Sequence, residues 1–305
     1  MMKDIFDLTA CTLCPRECGV DRTKGRTGAC GTNDKIYTAR ASLHQWEEPC
    51  LSGDRGSGTV FFSGCNMGCV YCQNKEISHN KKGIEITTDR LCEIFFELQH
   101  MGAHNINLVT ATHVIPKVLK SVEMAKKKGI DIPFIYNTSG YEKVDTLKRC
   151  EGLIDIYLPD FKYMDSIRAK KYSKAPDYPE AVKAAIDEMV RQHPKCRFDA
   201  DGIMTEGVIV RHLMLPEGLD ESKKIIKYLY ETYNDNIYIS IMSQYTPVGD
   251  LKDFPELQKT VSAKYYEKLI DYAIELGVEN AFVQEGTAAS ESFIPDFSGQ
   301  GIIKD

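Results

Sequence analysis

Ser63-Gly64-Cys65-Asn66-Met67-Gly68-Cys69-Val70-Tyr71-Cys72-Gln73-Asn74 follows the apolar run Thr59-Val60-Phe61-Phe62. Its three cysteines stand at C-x3-C-x2-C spacing. A loop this short can wrap three thiolates around one metal centre. Its two glycines let the backbone bend where a Cβ would clash. Thiolates are soft ligands that suit iron–sulfur clusters and zinc. Three thiolates around four irons leave one iron open, and an open coordination position separates a reactive metal site from a closed structural one. The alternatives are a zinc loop, which normally brings a fourth ligand at similar short spacing, and three unrelated cysteines.

Working outward, the chain alternates short β-rich runs with stretches of helical period. Strands are expected at 60–63, 105–110, 133–137, 153–158, 208–213 and 237–242. Helices are expected near 89–101, 115–128, 143–149, 179–191, 221–233 and 262–276. Gly102, Gly129 and Gly277 stand where C-caps belong. Strands alternating with helices imply parallel pairing and right-handed crossovers. Six units suggest an α/β fold, a partial (β/α)6 TIM-like barrel, with a doubly wound open sheet as the alternative. In barrels the chemistry gathers at the C-terminal strand ends. There stand the cysteine loop, Thr110-Ala111-Thr112-His113, Asn137-Thr138-Ser139-Gly140, Asp160-Phe161-Lys162-Tyr163, Arg211-His212 and Ser243-Gln244-Tyr245.

A second cysteine stretch opens the chain. Cys11, Cys14, Cys18 and Cys30 follow C-x2-C-x3-C-x11-C spacing among charged residues and glycines. Four thiolates make a closed set, suited to zinc or to an auxiliary iron–sulfur cluster. Few apolar residues lie between them, so this segment needs a metal to hold its shape. Residues 39–53 then read mainly as a linker, although their Trp46-Glu47-Glu48-Pro49 would also suit the mouth of an active site. The expected division is 1–54 for the cysteine-rich segment and linker, 55–285 for the barrel and 286–305 for a tail.

Composition excludes several classes. The 305 residues are 43% hydrophobic and 27% charged, ordinary for a soluble globular chain. No apolar run approaches the ~18 residues that a membrane span needs, and Met1–Phe6 lacks the apolar core of a signal peptide. A net charge of −6 gives no general nucleic-acid footprint. Eleven cysteines without a secretion signal point to metal ligands in a reducing cytoplasm rather than disulfides. An exposed cluster would be oxygen-sensitive, which suits an anaerobic setting.

The cysteine spacing, with an aromatic residue just before the third cysteine, resembles the radical S-adenosylmethionine (SAM) superfamily. Further stretches sharpen this to its pyruvate formate-lyase-activating enzyme-like branch: Glu47-Glu48-Pro49, Gly56-Ser57-Gly58-Thr59, Tyr136-Asn137-Thr138-Ser139-Gly140-Tyr141, Asp155–Tyr163 and Val210-Arg211-His212-Leu213. The likeness runs from Cys11 to about Gln284. It implies an oxidoreductase in which Cys65, Cys69 and Cys72 hold a [4Fe–4S] cluster whose open iron binds SAM. Tyr71 would pack near the adenine. Asp160 and Lys162 match an Asp-x-Lys motif near SAM, Arg211 matches an arginine near SAM, and Gln244 falls where a ribose contact is often placed. Asn137 and Ser139 are further candidates. The Gly-Gly-Glu that many members use for the SAM amino group is replaced by Thr110-Ala111-Thr112-His113, so Thr110 and Thr112 are the candidates there, and His113 is a substrate candidate.

The resemblance implies reductive cleavage of SAM to a 5′-deoxyadenosyl radical, which abstracts hydrogen from a substrate. The electron would come from flavodoxin or ferredoxin. A glycine of a partner enzyme is the first expectation for the substrate. A small molecule, peptide or other protein residue is the second. An iron–sulfur electron carrier without SAM chemistry is the reading from another class.

Overall fold

A computed structural model of the chain describes residues 6–79, 82–284 and 296–304. Its strands, in chain order, are β1 (Ile36–His44), β2 (Ser57–Phe62), β3 (Ile84–Ile86), β4 (Ile106–Val109), β5 (Phe134–Thr138), β6 (Ile156–Pro159), β7 (Arg197–Phe198), β8 (Met204–Leu213), β9 (Tyr238–Met242) and β10 (Ala281–Val283). They form a sheet in the order β10-β9-β8-β6-β5-β4-β2-β1-β3, with β7 paired to β8. From β2 to β10 this path is parallel. β1 runs antiparallel to β2, and β3 antiparallel to β1. The path ends at β10 and β3, so the sheet is an open, partial barrel.

The helices are α1 (Pro49–Ser52), α2 (Lys75–Ser78), α3 (Thr88–His100), α4 (Ile115–Lys127), α5 (Val144–Leu147), α6 (Ser166–Ser173), α7 (Tyr178–Gln192), α8 (Leu219–Tyr233) and α9 (Ala263–Leu276). Local chemistry sets their ends. The Thr87 hydroxyl accepts from the Arg90 N–H at the start of α3. Proline occupies the first turn of α4 and of α7, where its missing N–H costs nothing. Gly102, Gly129 and Gly277 have φ of +93°, +91° and +88°, the left-handed conformation that ends a helix.

All six expected strands are present, and a seventh parallel strand, β10, completes the run. At three residues, β10 is too short for periodicity to reveal. The other difference lies in 36–44. Part of the stretch expected to be a linker is a nine-residue strand, bonded along β2 from Thr38–Phe62 to His44–Ser57. Its pattern of apolar and polar residues is irregular, because both its faces are partly covered.

Side-chain alternation divides the sheet into two faces. Val60, Phe62, Leu108, Tyr136 and Val210 join the buried cluster with Leu91, Phe95 and Val118 from the helices. The opposite residues, including Ile135, Leu158 and Ile209, form a smaller cluster with Cys50 and Leu51 of α1. Thus α1 stoppers the inner face of the barrel. The residues just before it, Glu47 and Glu48, are delivered into the interior.

Candidate active site

A cavity of about 370 Å³ opens on the inner face, within the size range of small-molecule sites. Cys65, Cys69, Cys72 and Tyr71 line one part of it, and Glu47, Glu48 and Arg211 another. Thr110, Asn137, Ser139, Asp160, Lys162 and Gln244 also line it. Six neighbouring strands thus bring most of the expected site residues together.

The cysteine loop is fixed by its neighbours. Ser63 N–H donates to Tyr37 O at 2.8 Å, Gly64 N–H to Ile77 O at 2.9 Å, and Val70 N–H to Tyr172 O at 2.9 Å. Gly64 has φ +96°, and a Cβ there would lie 2.5 Å from Thr32 Cγ2 and 3.0 Å from Cys30 O. Only glycine fits this turn.

Each thiol sulfur accepts a hydrogen bond. Cys65 Sγ accepts from Met67 N–H at 3.4 Å, Cys69 Sγ from the Ser173 hydroxyl at 3.0 Å and Cys72 Sγ from the Ser78 hydroxyl at 3.3 Å. Burial, then the neighbouring Cys69 and Cys72, pushes the Cys65 thiol up to about 12. Burial likewise raises Cys72. Burial thus disfavours the free thiolates of Cys65 and Cys72, and the site suits a cationic partner. Lys162 supplies one charge nearby: its ammonium bonds Asp160 Oδ2 at 2.5 Å. Burial works against that ammonium, but Asp160, then Cys69, outweighs it and raises its pKa.

Tyr71 is buried and joins a hydrogen-bond chain. Its hydroxyl meets Tyr163 at 2.6 Å, Tyr163 meets Ser173 at 2.8 Å, and Ser173 reaches Cys69. Gln244 lines the cavity while its carbonyl accepts from Gln73 Nε2 at 2.9 Å. Arg211 is committed to acidic partners. Its Nε donates to Glu48 Oε1 at 2.8 Å, and its Nη2 to Glu48 Oε2 at 2.6 Å and to Glu47 Oε2. Burial pushes the Glu48 carboxyl up, but Arg211 holds it below the usual range.

Two expected site residues stand elsewhere. Thr110 takes φ +61°, and a 3₁₀ turn over Thr112–Val114 carries the chain away from the cavity. His113 is turned behind the cysteine loop, where its Nε2 lies 2.8 Å from Ser63 O. Burial drops its pKa to about 4, so it is neutral there, and it is not among the residues that line the cavity. Thr112 donates to Glu142 Oε1 at 2.5 Å instead of facing the cavity. Glu142 also receives the hydroxyls of Thr138 and Tyr136, the latter at 3.1 Å. Burial lifts it to about 7.

The N-terminal cysteines lie behind the loop. Cys65 N–H donates to Cys30 O at 3.3 Å. Arg16 donates to Asn66 O at 2.8 Å, Met67 O at 3.2 Å, Ser173 O at 2.8 Å and Lys174 O. It also sits 5.2 Å over the Tyr141 ring. It therefore pins the loop to the end of α6. Cys11 and Cys30 are buried and Cys18 is exposed. Among the described residues, no three Cys, His, Asp or Glu side chains are drawn together around a single ion. The donor set of Cys65, Cys69 and Cys72 would fit an iron–sulfur cluster: three soft sulfurs on one short loop, each already accepting a hydrogen bond.

Sequence alone singles out neither Arg16 nor Ser173. Both act through contacts more than 45 residues away in the chain, which no local motif records.

An open parallel barrel with three cysteines on its first loop, lining the inner cavity, defines a class. The chain belongs to the radical SAM superfamily, whose family model matches residues 59–229. An uncharacterized protein of Methanocaldococcus jannaschii is 29% identical over 282 residues, covering 89% of this chain and 75% of the relative. A second protein of that organism, provisionally named a glycyl-radical enzyme activating enzyme, is 24% identical over 211 residues, covering 68% and 69%. A solved domain of pyruvate-formate lyase-activating enzyme from Bacteroides vulgatus aligns at 14% identity and a TM-score of 0.39, covering 56% of this chain and 91% of that one. Among the described residues no helix is long and apolar enough to cross a membrane.

Proposed function

We propose that the chain holds a [4Fe–4S] cluster on Cys65, Cys69 and Cys72 and binds SAM in the adjoining cavity. The observation that carries this reading is the convergence of those three cysteines with Asp160, Lys162 and strand-end polar groups on one cavity. When bound, the cluster and SAM supply reductive cleavage of the sulfonium and hydrogen abstraction by a 5′-deoxyadenosyl radical. Flavodoxin or ferredoxin is the proposed electron donor.

The chain's own residues do the rest. The three sulfurs ligate, and the N–H and O–H donors of Met67, Ser173 and Ser78 stabilise their charge. Lys162 offers a half-buried cation to a carboxylate, a charge-assisted contact of the stronger kind. Asn137, Ser139, Thr110 and Gln244 supply neutral hydrogen-bonding groups. Tyr71, edge-on to Tyr172 and Tyr245 with ring centroids 6.4 and 6.0 Å away, excludes water on one side. Such placement and water exclusion are what a protein contributes to cofactor chemistry.

For the substrate, a glycine of a partner enzyme is the first proposal, supported by the relative named for that activity. A small molecule, peptide or other protein residue is the second. Cys11, Cys14, Cys18 and Cys30 are proposed to take zinc or an auxiliary cluster. In this scheme 55–285 is the catalytic barrel, 1–54 backs its first loop and stoppers its interior, and 286–305 is the expected tail, of which 286–295 lie outside the described residues. A cytoplasmic setting is proposed from the free thiols.

The test is spectroscopic. The anaerobically reconstituted, reduced protein should show an iron–sulfur electron paramagnetic resonance signal that SAM alters. A signal untouched by saturating SAM would favour an electron carrier.

A further inference from the structure

The cavity carries unbalanced charge away from the cysteine loop. Glu47 and Glu48 face one guanidinium, that of Arg211. Two carboxylates against one cation leave one negative charge. The other pair lining the cavity, Asp160 with Lys162, is balanced. His44, which also lines it, is kept neutral by burial. The acidic pair lies in a buried setting, where Coulomb terms are strong and unbalanced charge is costly.

Hydrogen-bond capacity is unbalanced in the same direction. Asn107 is fully buried on the inner face of β4. Its Nδ2 donates to Glu47 Oε1 at 3.0 Å, while its Oδ1 has no partner. A buried amide acceptor without a donor is uncommon and calls for an explanation. Its neighbour Glu47 presents carboxylate oxygens, which only accept, and the donors of this cluster, those of Arg211 and Ser240, are turned to the glutamates. The group missing from this cluster is a donor that also carries positive charge.

We infer that the Glu47–Glu48 end of the cavity, backed by the buried Asn107, receives a cationic N–H group of the substrate. An alkylammonium or a guanidinium adds one positive charge and donors for the carboxylate oxygens that line the cavity. Arg211 holds the glutamates in place and limits the site to one added charge. Sequence delivers this arrangement economically: Glu47-Glu48-Pro49 ends one loop, Pro49 starts the stopper helix α1, and the two carboxylates are thereby aimed inward. The inference rests on the proposed function, in which SAM occupies the part of the cavity beside the cysteines.

Trp46 is the chain's single tryptophan and lines the same cavity. Its fluorescence is a built-in reporter. The full chain, reconstituted anaerobically with its cluster oxidised and SAM saturating, is titrated with n-butylammonium, 1-butanol and butyrate. The cation should give a saturable change with at least tenfold higher apparent affinity than either isostere. Glu47→Gln should remove that preference, and Glu47→Asp should keep it. Equal responses from the three probes, or a cation preference unchanged in Glu47→Gln, would overturn the assignment. A cation response seen only without SAM would place the amine in SAM's own position and also overturn it. If Glu47→Gln does not fold, as judged by circular dichroism, the wild-type preference decides alone. SAM cleavage is measured separately on the same sample: its failure beside an intact cation preference counts against the proposed function and leaves the cation site standing.

Discussion

Two cysteine-rich stretches of similar spacing occupy opposite sides of one loop. Cys65, Cys69 and Cys72 line the inner cavity, with Lys162 close by and a hydrogen bond to every sulfur. Cys11, Cys14, Cys18 and Cys30 lie behind them, outside that cavity, and contact the loop through backbone and through Arg16. Residue type and spacing are nearly the same. The difference lies in what surrounds the sulfurs, and it is the basis for proposing chemistry for the first set and support for the second.

The sharpest way to break this contrast is to remove one cysteine from each set. Cys69→Ala should abolish 5′-deoxyadenosine formation, whereas Cys18→Ala should leave it measurable in a protein of normal iron content at the loop. Equal loss in both would erase the distinction.

Lys162→Met tests the cation on the cavity side. Hydrogen bonds to charged groups contribute about 1.5–3 kcal/mol, so SAM turnover should fall by about 10–100-fold. The loss should appear chiefly in the apparent affinity for SAM. An unchanged value would remove Lys162 from the site.

Glu142 tests the buried layer between the regions. Its carboxyl is raised from 4.5 to about 7 in the fold, so the native state binds the proton more tightly than the unfolded chain. Stability from this group is present below about pH 4.5 and is lost as pH rises toward 7, by about 3 kcal/mol at most. Glu142→Gln should flatten that slope in urea titrations and be the more stable protein above pH 7.

Arg16→Ala cuts the tie between the two stretches. With its buried carbonyls left unpaired, the fold should lose about 2–3 kcal/mol, and the cluster should be lost faster on dilution. Folding unchanged in both respects would make the N-terminal stretch a bystander. The smallest effect is expected from Ser173→Ala, which removes one O–H···S bond. Hydrogen bonds to sulfur help set cluster potentials, so the midpoint should move to more negative values with turnover largely retained.

Much of this arrangement was legible in the sequence, for physical reasons. Strand–helix alternation and the glycines after α3, α4 and α9 carry the barrel, because period and caps are local signals. The cysteine loop and Asp160-Phe161-Lys162 are local too. The role of Arg211 is another matter: its partners Glu47 and Glu48 lie 164 and 163 residues away, and only the register of β8 and the stopper helix joins them. His113 was misplaced because strand-end position does not reveal a 3₁₀ turn that swings a side chain behind a neighbouring loop. β1 was hidden for a related reason, since its neighbours come from both sides and leave no clean alternation.

The central claim is that the cysteine-loop cavity cleaves SAM. The most direct measurement is 5′-deoxyadenosine formed by anaerobically reconstituted, reduced protein with SAM, beside Cys69→Ala prepared in the same way. Product from the wild type and none from the variant is the predicted result. No product from a wild-type sample with a verified, reducible [4Fe–4S] cluster, or equal product from both, would contradict it.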